Sequence, residues 1–306
     1  MKVLVTGVGG QLGYDVMKEL AKRGIQGVGS DLAPQCADAD MAYVSMDITN
    51  KEQVNQIIKD TKTQVVVHCA AWTAVDLAEE EDKKEVVHQV NAVGTENIAK
   101  ACAEHDCKMV YISTDYVFDG QGEKPWEPDC KEYAPLNVYG QSKLDGEKAV
   151  SKNLEKFFIV RIAWVFGKNG NNFIKTMLNV GKKYEKLTVV HDQIGTPTYT
   201  YDLARLLVDM ILTDKYGYYH ATNEGGYISW YDFAVEIFKQ AAELGHAEYG
   251  AEHLKVHPVT TEEYGVSKAK RPFNSRLDKS KLPENGFEPL PDWRDALKRY
   301  LGEIEF

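Results

Sequence analysis

Residues 2–13 read KVLVTGVGGQLG, and this stretch decides the fold class. The first five residues form a short apolar run of the kind that makes a buried strand. Gly7 then allows a tight turn into a helix, Gly10 lets the backbone approach a pyrophosphate, and Gly13 lets helix and strand pack closely. Free N–H groups at the helix N-terminus attract an anion. A purely structural turn has the same glycines, so this interpretation depends on the segments that follow.

Short apolar runs alternate with amphipathic stretches through the first half of the chain. Strands are expected at 2–6, 25–30, 65–69, 108–113 and 157–162, and helices at 11–23, 51–61, 85–104 and 138–152. This alternation predicts right-handed βαβ units and a parallel sheet covered on both faces. The predicted fold class is therefore α/β, with a Rossmann-like, doubly wound sheet.

The composition of the sequence changes after Gly167, because residues 171–200 contain many Asn, Gly, Lys and Thr residues among the apolar ones. Further helices are expected at 201–213, 229–243 and 292–302. We expect an NAD(P)-binding domain made of residues 1–167 and about 199–221. A smaller, discontinuous substrate-binding lobe is expected from about 168–198 and 222–306.

Composition excludes several classes of function. The chain has 306 residues, of which 43% are hydrophobic, and a formal net charge of −10. Such an acidic surface repels nucleic acid. An anionic small ligand stays compatible, because the last third contains a group of cations, Lys268, Lys270, Arg271 and Arg276. The five cysteines fit neither a zinc ribbon nor a CxxC motif, so they are expected to be reduced, with Cys69 in the core.

The sequence predicts neither a membrane span nor a metal site. No apolar run approaches the roughly 18 residues that a span requires. The first strand begins at residue 2, so we expect no signal peptide and a cytoplasmic location. There is no HExxH motif and no close His/Cys cluster. The acidic run 79–82 is interpreted as a solvated helix start.

Asp31 is expected at the end of the second strand, where a carboxylate accepts hydrogen bonds from the adenosine ribose of NAD(H). The same charge would repel the 2′-phosphate of NADP(H), so we predict that NADH is preferred and NADPH tolerated. A solvated turn residue is the alternative interpretation. Other cofactor contacts are expected at the glycine turn, beside the adenine ring and at the small residues ending the fourth strand: Gln11, Leu12, Asp47, Ile48, Ala70 and Ala71.

Tyr139 and Lys143 form a YxxxK motif, which places both side chains on one face of a helix. A neighbouring ammonium is expected to lower the tyrosine pKa, so that Tyr139 gives a proton to the oxyanion formed by hydride transfer. An exposed Tyr–Lys pair is the default alternative. However, the motif follows a strand ending at Thr114, whose hydroxyl is a donor for the same carbonyl oxygen. The glycine turn, Thr114 and YxxxK together predict a dinucleotide-dependent reductase.

These residues resemble the extended short-chain dehydrogenase/reductase family. Six further segments resemble one branch of it, the dTDP-4-dehydrorhamnose reductases: AVD at 74–76, STDYVFDG at 113–120, PLNVYG at 135–140, RIAWVFG at 161–167, DQIGTPT at 192–198 and RP at 271–272. The segments keep the family's order along almost the whole chain. DQIGTPT is the most specific to this branch.

The resemblance implies reduction of the C4 ketone of dTDP-4-dehydro-L-rhamnose to dTDP-L-rhamnose. It implies that Tyr139 is the proton donor, assisted by Lys143 and Thr114. Contacts with the nucleotide sugar are implied for Thr114, Asp115, Trp164 and Arg271, with Trp230 and Trp293 as weaker candidates, and structural support for Asn91. Core packing is the favoured interpretation of any one of these tryptophans. Some members are linked to Mg²⁺ at a subunit interface, which nothing in this sequence locates. Members often dimerise, so a homodimer is the expected partner.

Three alternatives stay open at this stage. An epimerase uses the same Tyr and Lys with a tightly held dinucleotide, and another nucleotide-sugar ketoreductase would share every motif. The regulatory subunit of methionine adenosyltransferase resembles the same reductases but serves as a binding partner. A dehydratase is disfavoured, because Tyr116 stands where those enzymes have the glutamate of an Asp-Glu pair.

Overall fold

The computed structural model describes residues 1–305, which form fifteen strands and eleven α-helices. The strands are β1 (Lys2–Thr6), β2 (Gln26–Asp31), β3 (Tyr43–Ser45), β4 (Val65–His68), β5 (Lys108–Thr114), β6 (Phe157–Ile162), β7 (Val165–Phe166), β8 (Lys186–Val190), β9 (Ile194–Gly195), β10 (Thr198–Tyr199), β11 (Gly217–His220), β12 (Asn223–Glu224), β13 (Ile228–Ser229), β14 (Lys255–Val259) and β15 (Leu290–Asp292). The helices are α1 (Gln11–Lys22), α2 (Lys51–Asp60), α3 (Lys84–His88), α4 (Thr95–Glu104), α5 (Val138–Asn153), α6 (Phe173–Gly181), α7 (Thr200–Ile211), α8 (Trp230–Glu243), α9 (Thr261–Tyr264), α10 (Lys281–Glu284) and α11 (Trp293–Leu301).

Seven parallel strands form the central sheet in the order β11-β6-β5-β4-β1-β2-β3. The strand order reverses between β1 and β4, and ligands of open α/β sheets bind outside the carboxyl ends of strands at such a switch point. The predicted Rossmann-like α/β class is confirmed.

Alternating side chains of the strands fill the two faces of the sheet. In β1, Val3 and Val5 join a buried cluster with α1 and α7, whereas Leu4 joins a second cluster with α2 and α4. This is the period of two that a strand buried on both faces requires. The helix expected at 201–213 therefore packs on the main sheet, as α7 against α1.

A third apolar cluster lies among α6, α8, α11 and β8. Small two-stranded sheets, such as β8 with β14, connect its segments. Sequence reasoning missed these strands, because runs of two to five residues have no recognisable period. The predicted division of the chain into two domains stays a prediction.

The helix expected at 85–104 is not one continuous α-helix. A π-helical turn, Gln89–Gly94, separates α3 from α4 and includes the fully buried Asn91. The Asn91 amide accepts from the Trp72 N–H and donates to the Trp72 carbonyl and to Ser142 Oγ of α5. The single extra residue of a π-turn thus coincides with a contact to the helix that has the YxxxK motif.

Candidate active site

A cavity of about 760 Å³ opens at the carboxyl end of the central sheet. This volume is within the range of small-molecule and cofactor sites. The cavity is lined by the residues expected to bind the cofactor, perform the catalysis or contact the substrate, with the exception of the weaker candidate Trp293: Gly7, Gly10, Gln11, Leu12, Gly13, Asp31, Asp47, Ile48, Ala70, Ala71, Thr114, Asp115, Tyr139, Lys143, Trp164, Trp230 and Arg271. Residues as far apart in the chain as Gly7 and Arg271 are therefore neighbours in one cleft.

The glycine turn between β1 and α1 leaves room for a ligand's phosphates. Gly7 has a φ of 73°, and a Cβ there would lie 2.6 Å from the Ala70 nitrogen. A Cβ on Gly13 would overlap the Gly7 carbonyl, so only glycine lets α1 start this close to β1. The N-terminus of α1 has no side-chain cap and no acidic residue in its first turn. Its N–H groups therefore fit a pyrophosphate.

The Asp31 carboxylate lies at the end of β2, where it accepts hydrogen bonds from the N–H groups of Gly9 (3.0 Å) and Leu32 (2.8 Å). These bonds hold a negative charge beside the glycine turn. In the connection between β3 and α2, the Asp47 carboxylate accepts from the Thr49 hydroxyl at 2.7 Å. The neighbouring Ile48 is an apolar residue of the cavity wall. The geometry fits an adenosine between the two segments.

Helix α5 presents Tyr139 and Lys143 to the cleft. The Asn137 side chain caps the helix by accepting from the Gly140 N–H at 2.7 Å, and the Glu79 carboxylate accepts from the Val138 N–H at 2.8 Å. Both acceptors satisfy first-turn donors that would otherwise be unpaired. The acidic run that was expected to be solvated thus contributes one residue to the start of this helix.

The expectation that Lys143 lowers the Tyr139 pKa is wrong for the protein without ligands. Burial raises the pKa of Tyr139 above its usual value, and the charges of Asp115 and Tyr116 raise it further. The Lys143 ammonium lies instead over the Tyr111 ring, 4.2 Å from its centroid. Burial lowers the pKa of Lys143 to about 7, against Glu147 and Cys69, which raise it. Tyr139 therefore keeps its proton, as a proton donor must.

Thr114 and Asp115 form a buried polar pair at the end of β5. The Thr114 hydroxyl donates to Asp115 Oδ1 at 2.9 Å and accepts from the Tyr116 N–H. Asp115 is 1% exposed, and its Oδ2 has no hydrogen-bond partner among residues 1–305. Burial raises the pKa of Asp115 to about 6, although the hydroxyls of Ser275 and Thr114 oppose this. The free oxygen is an acceptor at the cavity wall for a ligand hydroxyl.

An aromatic wall closes the cleft opposite the sheet. The Trp164 indole stacks on Trp230 with ring centroids 3.8 Å apart, and Phe173 packs against Trp230 at 4.6 Å. Trp164 has a φ of 51°, a left-handed conformation that is strained for a bulky residue and is found at functional sites. Sequence reasoning placed Trp164 correctly but missed Phe173, because the first residue of α6 has no local motif.

Of the four cations expected to form an anion site, Arg271 alone lines the cavity. Arg271 forms an ion pair with Asp76 (2.6 Å) and donates to the Tyr116 hydroxyl (3.3 Å). Lys268 instead pairs with Glu80 outside the cleft. The predicted cation cluster is therefore reduced to one guanidinium, which Asp76 holds in place.

Trp293 is 1% exposed and packs edge-on against Phe233 in the third apolar cluster, so core packing is confirmed for it and it does not reach a nucleotide. Cys69, which was expected in the core, packs against the cluster of α1 and α7 and also forms part of the cavity wall, directly after the last residue of β4. Tyr116, which meets Tyr139 edge to face at 5.6 Å, was missed as a wall residue, although it directly follows Thr114 and Asp115.

Among residues 1–305, no group of three or more His, Cys, Asp and Glu side chains is placed to hold a metal ion. All five cysteines are free thiols. Within the same range, no helix combines the length and the apolarity needed to cross a lipid bilayer.

Comparison with known proteins connects this cleft to a chemistry. The family model described as "RmlD substrate binding domain" matches residues 1–306. The dTDP-4-dehydrorhamnose reductase of Aggregatibacter actinomycetemcomitans is 41% identical over 313 aligned positions, which cover 99% of each chain. The enzyme of that name from Escherichia coli K12 is 38% identical and covers 99% of this chain and 98% of its own. A crystal structure of dTDP-4-dehydrorhamnose reductase from Bacillus anthracis in complex with NADP has a TM-score of 0.87 and 39% identity, with 99% of both chains covered.

Proposed function

The chain belongs to the dTDP-4-dehydrorhamnose reductase family, and from this premise we propose that it reduces the C4 ketone of dTDP-4-dehydro-L-rhamnose to dTDP-L-rhamnose. The observation that supports this best is the meeting of three motifs in one cleft: the glycine turn, the Thr114–Asp115 pair and the Tyr139–Lys143 pair. A reduced nicotinamide dinucleotide supplies the hydride when bound. The chain's own residues bind the two ligands, orient them and deliver one proton.

The residues around the switch point fit the dinucleotide. The N–H groups of Gln11 and Leu12 at the N-terminus of α1 would hold the pyrophosphate, since no side chain caps this helix. The Gly10 N–H donates to the Gly7 carbonyl at 3.1 Å, so Gly10 would contribute space for the phosphates. Asp31 would accept from the adenosine ribose, and Lys143 would hold the nicotinamide ribose. Small residues at 70 and 71 leave space beside the end of β4.

The chemistry at the sugar needs one proton donor and fixed hydrogen bonds. Tyr139 would give its phenolic proton to the oxygen that becomes negative as the ketone carbon gains a hydride. Lys143 would assist by holding the nicotinamide ribose. The Thr114 hydroxyl would assist after turning from Asp115 to the substrate oxygen. Asp115, Trp164 and Arg271 would contact the rest of the nucleotide sugar.

The choice between the two dinucleotides depends on Asp31. We propose that NADH is preferred and NADPH tolerated, because the Asp31 carboxylate in the cavity wall would lie beside the ribose 2′ group. The relative from Bacillus anthracis was crystallised with NADP, so a family member can hold the phosphorylated form. Asp31→Asn keeps an acceptor but removes the charge, and it should shift the ratio of kcat/KM toward NADPH by about tenfold. An unchanged ratio would contradict this assignment.

The proposed reaction is tested by the loss of nicotinamide absorbance with enzymatically generated dTDP-4-dehydro-L-rhamnose. Tyr139→Phe should lower kcat by about 10²- to 10⁴-fold. Tyr14→Phe is a matched control, because Tyr14 and Lys18 are also a YxxxK pair, with the ammonium 5.2 Å from the ring, but lie on α1 outside the cavity. Equal losses in both variants, or full activity of Tyr139→Phe, would contradict the proposal. Turnover without added dinucleotide would instead indicate an epimerase.

We further propose that the protein acts as a homodimer, as expected from the resemblance, and that it does so in the cytoplasm, as expected from the sequence. Light scattering of the purified protein gives the oligomeric state, and a monomer with full activity would contradict the dimer. Activity before and after treatment with EDTA measures whether Mg²⁺ contributes.

A further inference from the structure

The Lys143 side chain has an unusual environment for a buried cation. The residue is 3% exposed, and its ammonium makes no hydrogen bond or ion pair with any of residues 1–305. Glu147 is one helical turn further along α5, but both of its carboxylate oxygens are bound by Arg161 at 2.8 Å. The ammonium lies over the face of the Tyr111 ring, 4.2 Å from its centroid. Such a cation–π contact is strongest where water is excluded.

Tyr111 is itself held rigidly between the sheet and α5. It is fully buried on β5, three residues before Thr114, and its hydroxyl donates to the main-chain carbonyl of Lys143 at 3.2 Å. A Cβ at Gly146 would overlap the Tyr111 hydroxyl. The absence of a side chain at Gly146 therefore lets α5 approach β5 closely enough for the ring to reach Lys143.

His68 supports the same ring without adding charge. Its imidazole stacks on Tyr111 with centroids 5.8 Å apart, and its nitrogens meet the hydroxyls of Thr6 (2.7 Å) and Thr95 (3.1 Å). The Thr95 hydroxyl donates to the Asn91 carbonyl, so Nε2–H donates to Thr95. Burial lowers the pKa of His68 to about 3, which keeps the imidazole neutral, and its Nδ1 therefore accepts from the Thr6 hydroxyl. The histidine therefore does not repel the ammonium.

We propose that Tyr111 is a positioning residue for Lys143, because its ring seats the ammonium and its hydroxyl fixes the turn of α5 from which the lysine extends. The inference rests on the proposed role of Lys143 in the reductase. It adds that the position of the ammonium is set from β5, by an aromatic ring outside the YxxxK motif. Removing the ring should misplace the ammonium even though Tyr139, Lys143 and the glycine turn are intact.

The direct test is a proton NMR measurement on protein with isotope-labelled lysine. The ring current of Tyr111 should shift the terminal methylene protons of Lys143 upfield, and the Lys143→Met variant assigns that signal. Tyr111→Phe should keep the shift, and Tyr111→Leu should lose it. A native spectrum without the shifted signal, or a shift that persists in Tyr111→Leu, overturns the proposal. The NMR measurement does not require turnover, so failure of this proposal can be distinguished from failure of the proposed reaction.

Kinetics give a second readout. Tyr111→Leu should lower kcat by about tenfold while KM for the nucleotide sugar stays close to native, since the contact acts on the lysine and not on the sugar. If Tyr111→Leu fails to fold, Tyr111→Phe is compared with the replacement of Tyr111 by pentafluorophenylalanine. The two rings differ little in shape, but the face of the fluorinated ring repels a cation. We expect kcat to fall about tenfold from the first variant to the second. Equal kcat values for that pair overturn the proposal.

Discussion

Replacing Arg161 should destabilise the protein more than any exposed ion pair does. The Arg161 side chain on β6 is fully buried, and its guanidinium binds both oxygens of Glu147 on α5 at 2.8 Å. Its other N–H groups point to the Pro128 carbonyl (2.9 Å), the Tyr133 hydroxyl (3.1 Å) and His220 Nε2 (3.4 Å). Every donor of the guanidinium therefore has a partner, which is the condition under which a buried charge is tolerated.

Arg161→Met removes the cation but leaves the Glu147 carboxylate 1% exposed and uncompensated. Breaking a buried pair in this way costs about 3–5 kcal/mol. At about 2.1 cal/mol/K per residue, 306 residues have an unfolding entropy of about 0.64 kcal/mol/K, so each kcal/mol lowers Tm by about 1.6 °C. The expected decrease in Tm is therefore about 5–8 °C. Activity should fall too, because Glu147 is two helical turns after Tyr139 on α5.

The assay is thermal and urea unfolding of four proteins in a double-mutant cycle. Arg161→Met/Glu147→Leu should recover most of the loss, because an apolar pair of similar volume replaces two buried charges. Lys156→Met is the control: its partner Asp106 is 85% exposed, so the loss should be below about 1 kcal/mol. A double variant no more stable than Arg161→Met, or a single variant as mild as the control, would refute the reasoning.

Three further predictions concern titration and packing. The pKa of Lys143 in the folded protein is about 7, well below its usual 10.5, so the free energy of unfolding should rise as the pH increases from about 7 to 10.5. Lys143→Met should abolish that rise, measured as urea midpoints, and should stabilise the protein at pH 7 by roughly 1–2 kcal/mol while activity is lost. Burial raises the pKa of Asp15 from 3.8 to about 6, so the free energy of unfolding should fall as the pH rises from 3.8 to 6. Asp15→Asn keeps the acceptor for the Thr200 hydroxyl and should reduce the decrease of Tm over this pH range, and the same dependence of Tm on pH in the variant would contradict the prediction. Gly13→Ala should lower the free energy of unfolding by about 1–3 kcal/mol and weaken dinucleotide binding in calorimetry, because the new Cβ overlaps the Gly7 carbonyl. Native-like affinity and Tm in the variant would contradict this and show that the turn can shift.

The sequence by itself determined the fold class and which motifs lie at one edge of the sheet. Alternation of Val3, Leu4 and Val5 between two apolar faces requires a doubly covered strand, and a glycine turn must follow it for α1 to pack. Parallel strands end at one edge, so Thr114 and the YxxxK motif had to lie near that turn. These inferences depend on local periodicity and chain order, which are properties of the sequence.

The tertiary structure decided where similar local signals lie. YxxxK also occurs at Tyr14/Lys18 and at Tyr264/Lys268. Among residues 1–305 the fold places only Tyr139 and Lys143 of these pairs in the cavity, as the position of that pair after the strand ending at Thr114 predicted. Likewise, nothing local distinguishes Trp164, in the wall, from Trp293, in the core.

The electrostatics of the site also depend on the fold. The sequence spacing predicted that Lys143 acts on Tyr139, whereas packing of α5 on β5 places its ammonium on the ring of Tyr111 and buries both titrating groups. The pKa of a side chain depends on its distances to charged groups on other elements and on how far water is excluded from it. The spacing of residues along one helix gives neither the distances nor the exclusion of water. Chain order therefore predicted which residues meet, and three-dimensional packing decided what each of them touches.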